Sequence, residues 1–117
     1  MNIRKYEYIT FESSSIKTPQ FKAFARDYKK AIKEQLPEGY MLEKYSVGHF
    51  YISGFIKTDT GKYIYFSTAE VRGSLCWLNR VLIRTAEDTK DFTGGANNFT
   101  SIENLGEQIK KLNEGKI

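Results

Sequence analysis

The chain has 117 residues, of which 40% are hydrophobic, 27% are charged and 15% are aromatic, and its net charge is +4. This length fits a single domain, residues 1–117, with one packed core, and the aromatic content argues against intrinsic disorder. No apolar run reaches the roughly 20 residues of a membrane-spanning helix, and the N-terminal segment lacks the apolar stretch of a signal peptide. We therefore expect a cytoplasmic protein with no membrane partner.

The first predicted elements are a strand from Arg4 to Phe11 and a helix that follows it. The strand is rich in β-branched and aromatic residues. In the helix, Thr18 suits the N-cap, Pro19 suits the first helical position, and apolar residues recur at helical spacing from Phe21 to Leu36. This spacing predicts a helix that buries one face.

The same helix has a stripe of basic residues. Lys22, Arg26, Lys29 and Lys33 recur at steps of four, three and four, which places them on one face beside the apolar one. From Lys22 to Glu34 there are five positive and two negative side chains, so this segment has a net charge of 5 − 2 = +3. The stripe predicts a binding surface for an acidic partner, and an ordinary solvated helix face is the alternative.

Between residues 40 and 86 the apolar pattern changes to the two-residue alternation of strands. Thr58 to Gly61 is a short connection that predicts a hairpin, in which the glycine supplies a positive φ. The order β-α-β-β-β-β-α predicts an α+β fold, with an antiparallel sheet of four to five strands and two helices on one side. The predicted strands of this region are Tyr40 to Val47, His49 to Lys57, Lys62 to Thr68 and Leu78 to Thr85.

Alternation divides the predicted hairpin into two faces. The aliphatic face is expected in the core and consists of Phe50, Ile52, Ile56, Ile64 and Phe66. The aromatic face suits either the stacking of unpaired bases or contact with a protein, and coverage by a loop or a terminus is the alternative. Its members are His49, Tyr51, Ser53, Phe55, Tyr63 and Tyr65.

Three arginines are predicted to border this aromatic face. Arg80 and Arg84 share one face of their strand, and Arg72 closely follows the preceding strand. Together they suit phosphate groups or a carboxylate-rich surface. Solvated arginines at strand edges are the alternative interpretation.

A glycine- and asparagine-rich segment and a second helix complete the chain. Asp91 to Thr100 predicts an ordered loop that Phe92 and Phe99 attach to the core. The alternative is an anion site formed by its backbone N–H groups, although the segment lacks the lysine and the spacing of a phosphate-binding P-loop. Thr100-Ser101-Ile102-Glu103 has the pattern of a capping box and predicts the start of the second helix.

Catalytic patterns are weak in this sequence. His49 is the single histidine and Cys76 is the single cysteine, and no cluster of His, Cys, Asp and Glu has the spacing of metal ligands. We therefore predict a protein that is not an enzyme, with no catalytic residues, no metal and no cofactor. The alternative is a small hydrolase or nuclease in which His49 acts with a carboxylate.

Four stretches resemble small accessory proteins of bacterial mobile genetic elements, namely conjugative elements and phages. They are Gly48 to Ile56, Tyr63 to Ser67 with Val71 and Arg72, Leu82 to Ala86, and Asp91 to Asn98. The resemblance implies a non-enzymatic binding protein that engages host nucleic-acid-processing machinery, as inhibitors of the anti-CRISPR type do. The implied partner is a protein or nucleoprotein complex of the host.

Direct binding of single-stranded DNA or RNA is the alternative function. The order of helix, strands and helix is also similar to that of double-stranded-RNA-binding domains, but the segment from Glu103 to Glu107 lacks their lysine cluster. The residues predicted to bind the partner are Lys22, Arg26, Lys29, Lys33, His49, Tyr51, Tyr63, Tyr65, Arg72, Arg80 and Arg84.

Overall fold

A computed structural model describes residues 19–48, 51–68 and 80–117. The five strands of this part form one antiparallel sheet, in which each strand pairs with its neighbour in the sequence. The predicted α+β class is confirmed, although the described elements begin with the first helix and the predicted strand from Arg4 to Phe11 lies outside them. The elements are α1 (Pro19–Gln35), β1 (Met41–Val47), β2 (Ile52–Lys57), β3 (Tyr63–Ser67), β4 (Val81–Ala86), β5 (Asn98–Thr100), a short 3-10 helix (Ile102–Asn104) and α2 (Leu105–Asn113).

Helix α1 has the position that its sequence predicts. It begins at Pro19, whose fixed φ suits a first turn, and it ends at Gln35, two residues before Pro37. The hydrophobic residues that it buries recur at helical spacing: Phe21, Phe24, Ala25, Tyr28, Ala31 and Ile32.

The second helix begins later than the capping pattern predicts. Thr100 belongs to β5, and Ser101 is the N-cap, whose hydroxyl accepts a hydrogen bond from the backbone N–H of Asn104 at 3.3 Å. A 3-10 turn follows, and α2 itself starts at Leu105. Thr100, the first residue of the predicted capping box, therefore pairs with β4 instead of capping the helix.

The core lies between one face of the sheet and both helices. Leu42 and Tyr45 of β1 pack against it while remaining partly exposed. Four of the five residues of the predicted aliphatic face are buried here, and Phe50 lies outside the described residues. The sheet residues of the core are Ile52, Ile56, Ile64, Phe66, Val81 and Ile83.

The opposite side of the sheet, which we call the outer face, carries the alternate residues of each strand. Strand β1 contains a β-bulge at Glu43. Leu42 pairs with Ile56 and Lys44 pairs with Phe55, so Glu43 is an extra residue without a partner in the register. The outer face consists of Lys44, Ser46, Ser53, Phe55, Lys57, Tyr63, Tyr65, Ser67, Leu82, Arg84, Ala86 and Phe99.

The side chain of Asn113, at the end of α2, makes hydrogen bonds to two other segments of the chain. Its amide nitrogen donates to the hydroxyl of Tyr40 and to a carboxylate oxygen of Asp59, at 3.2 Å each. Its amide oxygen accepts from the hydroxyl of Thr60, also at 3.2 Å. Asp59 and Thr60 belong to the predicted β2–β3 hairpin turn, in which Gly61 has the expected positive φ of 81°. Asn113 therefore connects α2 to this turn and to the start of β1.

Within residues 19–48, 51–68 and 80–117, neither helix has the length and the apolar content needed to cross a membrane.

Candidate functional site

Helix α1 presents a row of cations on the side turned away from the core. Lys22, Arg26, Lys29 and Lys33 are all exposed, and Lys30, which was not assigned to the predicted stripe, is exposed beside them. We call these five residues the basic face. From Lys22 to Lys33 the row extends for about 16 Å, at about 1.5 Å per helical residue.

Contacts with β1 hold the basic face in place. The hydroxyl of Tyr45 donates a hydrogen bond to the backbone carbonyl of Ala25 on α1. The ammonium group of Lys29 lies 5.5 Å from the centre of the Tyr45 ring. Burial raises the pKa of Tyr45, and its protonated hydroxyl is the donor in this hydrogen bond.

A row of four residues crosses the outer face from strand to strand. Lys44, Phe55, Tyr65 and Arg84 pair in register on β1, β2, β3 and β4, so that two aromatic rings lie between two cations. Residues 87–97, between β4 and β5, form a loop that packs on this row, and we call them the covering loop. The Phe92 ring of this loop lies 5.4 Å from the ring of Phe55 and 5.9 Å from that of Tyr65.

Arg84 binds the covering loop. Its guanidinium group donates to the backbone carbonyl of Gly94 at 2.9 Å and to that of Asp91 at 3.4 Å, and it lies 4.3 Å from the centre of the Tyr65 ring. The residue is only 6% exposed. The alternative of a solvated arginine at a strand edge is therefore wrong for Arg84, because a loop later in the chain encloses its side chain.

Asp91 organises the covering loop from within. Its carboxylate accepts hydrogen bonds from the backbone N–H groups of Glu87, Thr93 and Gly94, at 2.9, 3.1 and 2.8 Å. These hydrogen bonds lower the pKa of Asp91 below its ordinary value, and the bond from Glu87 has the largest effect. The position of Phe92 is fixed by this loop.

The predicted aromatic face is only partly open. Phe55 is buried and Tyr65 is half-buried beneath Phe92 and Arg84, which agrees with the alternative of a covering loop. Tyr63 is half-buried, and Tyr51 remains exposed. The predicted members His49 and Arg72 lie outside the described residues.

Two other aromatic rings are exposed on this side. Phe92 and Phe99 are 54% and 52% exposed, although the sequence predicted that both attach the loop to the core. Phe92 packs on the outer face instead, and Phe99 points outward from β5 because the adjacent Thr100 is the buried residue. The guanidinium group of Arg80, predicted as a binding residue, lies 4.8 Å from the centre of the Phe99 ring. Strand alternation would have predicted that Phe99 is exposed if β5 had been recognised in the sequence.

A cleft of about 680 Å³ lies where the ends of β3, β4 and α2 meet the covering loop. Lys62, Glu87, Asp91 and Glu114 contribute charged groups of both signs to its walls. Within the described ranges, no group of three His, Cys, Asp or Glu residues is placed to hold a metal ion.

The chain matches no family model, no curated protein and no solved structure.

Proposed function

We propose that the protein acts by binding rather than by catalysis, and that it engages a nucleic-acid-processing complex through the phosphate backbone of the nucleic acid. The observation that carries this proposal is the basic face of α1, with five exposed cations on one helix. Rows of lysine and arginine attract phosphates without regard to base sequence, and the release of counterions drives their association.

The composition of the basic face favours nucleic acid over an acidic protein. Four of its five cations are lysines, which are depleted at protein–protein interfaces. Interfaces with nucleic acid are in contrast strongly positive, and lysine serves there as a point charge against phosphate. The net charge of +4 on the whole chain adds long-range attraction to a polyanion.

The packing of α1 on the sheet suits contacts between these cations and successive phosphates. The opposite side of α1 is buried against the sheet and α2, and Tyr45 joins the helix backbone to β1. The helix backbone that carries these cations is therefore fixed, so that binding one phosphate also keeps the neighbouring cations within reach of the next.

The salt dependence of affinity tests this proposal. Fluorescence anisotropy with short duplexes of DNA and of RNA would compare the native protein with a variant carrying Lys22→Gln, Arg26→Gln, Lys29→Gln and Lys33→Gln. The slope of log affinity against log salt is negative, and each lost phosphate contact makes it shallower by about 0.9, so we expect its magnitude to fall by about 3 to 4.

A second variant separates the position of charge from its amount. Lys62→Gln, Lys90→Gln, Lys110→Gln and Lys116→Gln remove the same number of exposed charges from other surfaces. This control should bind with nearly the native slope. The proposal fails if the native protein binds neither duplex at low salt, or if both variants lose affinity equally.

A further inference from the structure

The outer face carries a second surface, on the opposite side of the sheet from α1. We infer that this surface binds unpaired bases of a single-stranded nucleic acid, which stack on the rings of Phe92 and Phe99. The inference does not rest on the role proposed for the basic face, because the two surfaces share no residue.

Exposure distinguishes these two rings from the other phenylalanines of the described chain. About half of each ring is open to solvent, whereas Phe21, Phe24, Phe55 and Phe66 are buried. An open aromatic ring offers a flat surface on which any of the bases can stack.

A cation accompanies each exposed ring. The ammonium group of Lys44 lies over the Phe92 ring, 5.7 Å from its centre, and the guanidinium group of Arg80 lies over the Phe99 ring, 4.8 Å from its centre. Each cation therefore covers part of its ring, and a base stacks on the ring surface that remains exposed. Both Lys44 and Arg80 are exposed. A nucleotide places a phosphate beside each base, so a ring with an adjacent cation complements both parts of the nucleotide. This charge complementarity favours a single strand over an apolar protein segment.

The two rings are held in place before any ligand binds. Phe92 packs edgewise on Phe55 and Tyr65, and its loop is fixed by the hydrogen bonds of Asp91 and Arg84. Phe99 lies in β5, in register with Leu82 of β4. Rings that are already ordered lose little conformational entropy on binding.

The spacing of the rings determines the length of strand that reaches both. Phe92 lies above β2 and β3, and Phe99 lies on β5, so two to three strand spacings separate them. At about 4.8 Å for each spacing, the rings are on the order of 10–15 Å apart. A strand of several nucleotides is therefore needed to contact both rings.

Leucine substitutions test the role of the rings. Phe92→Leu and Phe99→Leu keep an apolar side chain but remove the aromatic surface. Fluorescence anisotropy with labelled oligothymidine and oligouridine should show about a tenfold loss of affinity for each variant. The slope of log affinity against log salt should stay unchanged, because no charge is removed.

Tyrosine variants provide the matched control. Phe92→Tyr and Phe99→Tyr preserve both rings and should retain the native affinity. In addition, Lys44→Gln and Arg80→Gln should each make the negative slope of log affinity against log salt shallower by about 0.7, the value per phosphate contact with a single strand. Circular dichroism on each variant would show whether the fold is kept, and Phe99→Leu, at an exposed position, tests the inference even if Phe92→Leu unfolds.

Three outcomes would overturn the inference. One is the absence of oligonucleotide binding at low salt, and another is native affinity in both leucine variants. The third is loss of a protein partner in the leucine variants while oligonucleotide binding persists, which would make the outer face a protein-binding surface. Failure of duplex binding in the basic-face experiment would leave the expected leucine effect unchanged, so the two proposals fail separately.

Discussion

Gly106 shows how one residue determines the packing of the two helices. It lies in the first turn of α2, and a Cβ atom at this position would overlap the backbone carbonyl oxygen of Gln35, at the end of α1. A backbone atom cannot move aside by changing rotamer, so the close approach of α1 and α2 requires glycine here.

We predict that Gly106→Ala destabilises the protein. Alanine improves helix propensity by about 1 kcal/mol, but overpacking against a rigid backbone costs about 1–3 kcal/mol. The expected net loss is about 1 kcal/mol in the free energy of unfolding, measured by urea denaturation. Lys110→Ala, at an exposed position of the same helix, should change stability little. Equal or greater stability of Gly106→Ala would contradict the close helix contact.

The exposure of the basic face could be predicted from the sequence, whereas the enclosure of Arg84 could not. Helical spacing was enough to place Lys22 and Lys33 on one exposed side, because that property depends only on α1 itself. Strand alternation likewise placed Arg84 on the outer face. Its enclosure could not be predicted, because its hydrogen-bond acceptors lie seven and ten residues later in a loop without regular structure.

Among the elements, the covering loop has three of its backbone hydrogen bonds to one carboxylate. Asp91 accepts three backbone N–H groups that would otherwise need water or another partner. Because these bonds favour the ionised form, the folded-state pKa of Asp91 lies below its unfolded value of about 3.9. The stabilisation is therefore fully present above that unfolded value, and it is lost as the pH falls through the lower folded-state pKa.

We predict an acid-induced loosening of this loop. The amide proton resonances of Glu87, Thr93 and Gly94 should shift together in an NMR titration, with a midpoint below about pH 3.9. Asp91→Asn should remove this transition, because its side chain does not titrate in this range. A midpoint at or above the ordinary value for aspartate would show that the three hydrogen bonds do not persist in solution.

The sequence predicted the long elements better than the short ones. Helix α1 has its own start and stop signals in Pro19 and Pro37, and the hairpin turn has Gly61. Strand β5, in contrast, has three residues after a stretch rich in glycine and asparagine, and it exists through its pairing with β4. The Glu43 bulge was not predicted either, since it depends on the partner strand.

At the scale of the whole molecule, the sheet separates two surfaces of different chemistry. The basic face belongs to a helix on the core side, and the exposed Phe92 and Phe99 belong to the opposite side. One surface offers mainly charge, and the other offers rings with charge beside them. A ligand on one surface therefore leaves the other accessible.

We predict that the two ligands bind together. A labelled duplex bound at the basic face should remain bound when oligothymidine is added, and analytical ultracentrifugation should detect a complex of all three components. The Phe99→Leu variant should form the duplex complex but bind the third component more weakly. Displacement of the duplex by oligothymidine would indicate one shared site instead.

The hydrogen bonds of Asn113 have a consequence for the order in which the molecule assembles. Asn113 follows Tyr40 by 73 residues and Asp59 by 54 residues. Contacts between residues so far apart close large loops of chain, and such closure is slow compared with the formation of a hairpin. During synthesis from the N-terminus, the β2–β3 hairpin leaves the ribosome well before α2 does. We therefore expect the hydrogen bonds of Asn113 to Asp59 and Thr60 to form after the β2–β3 hairpin.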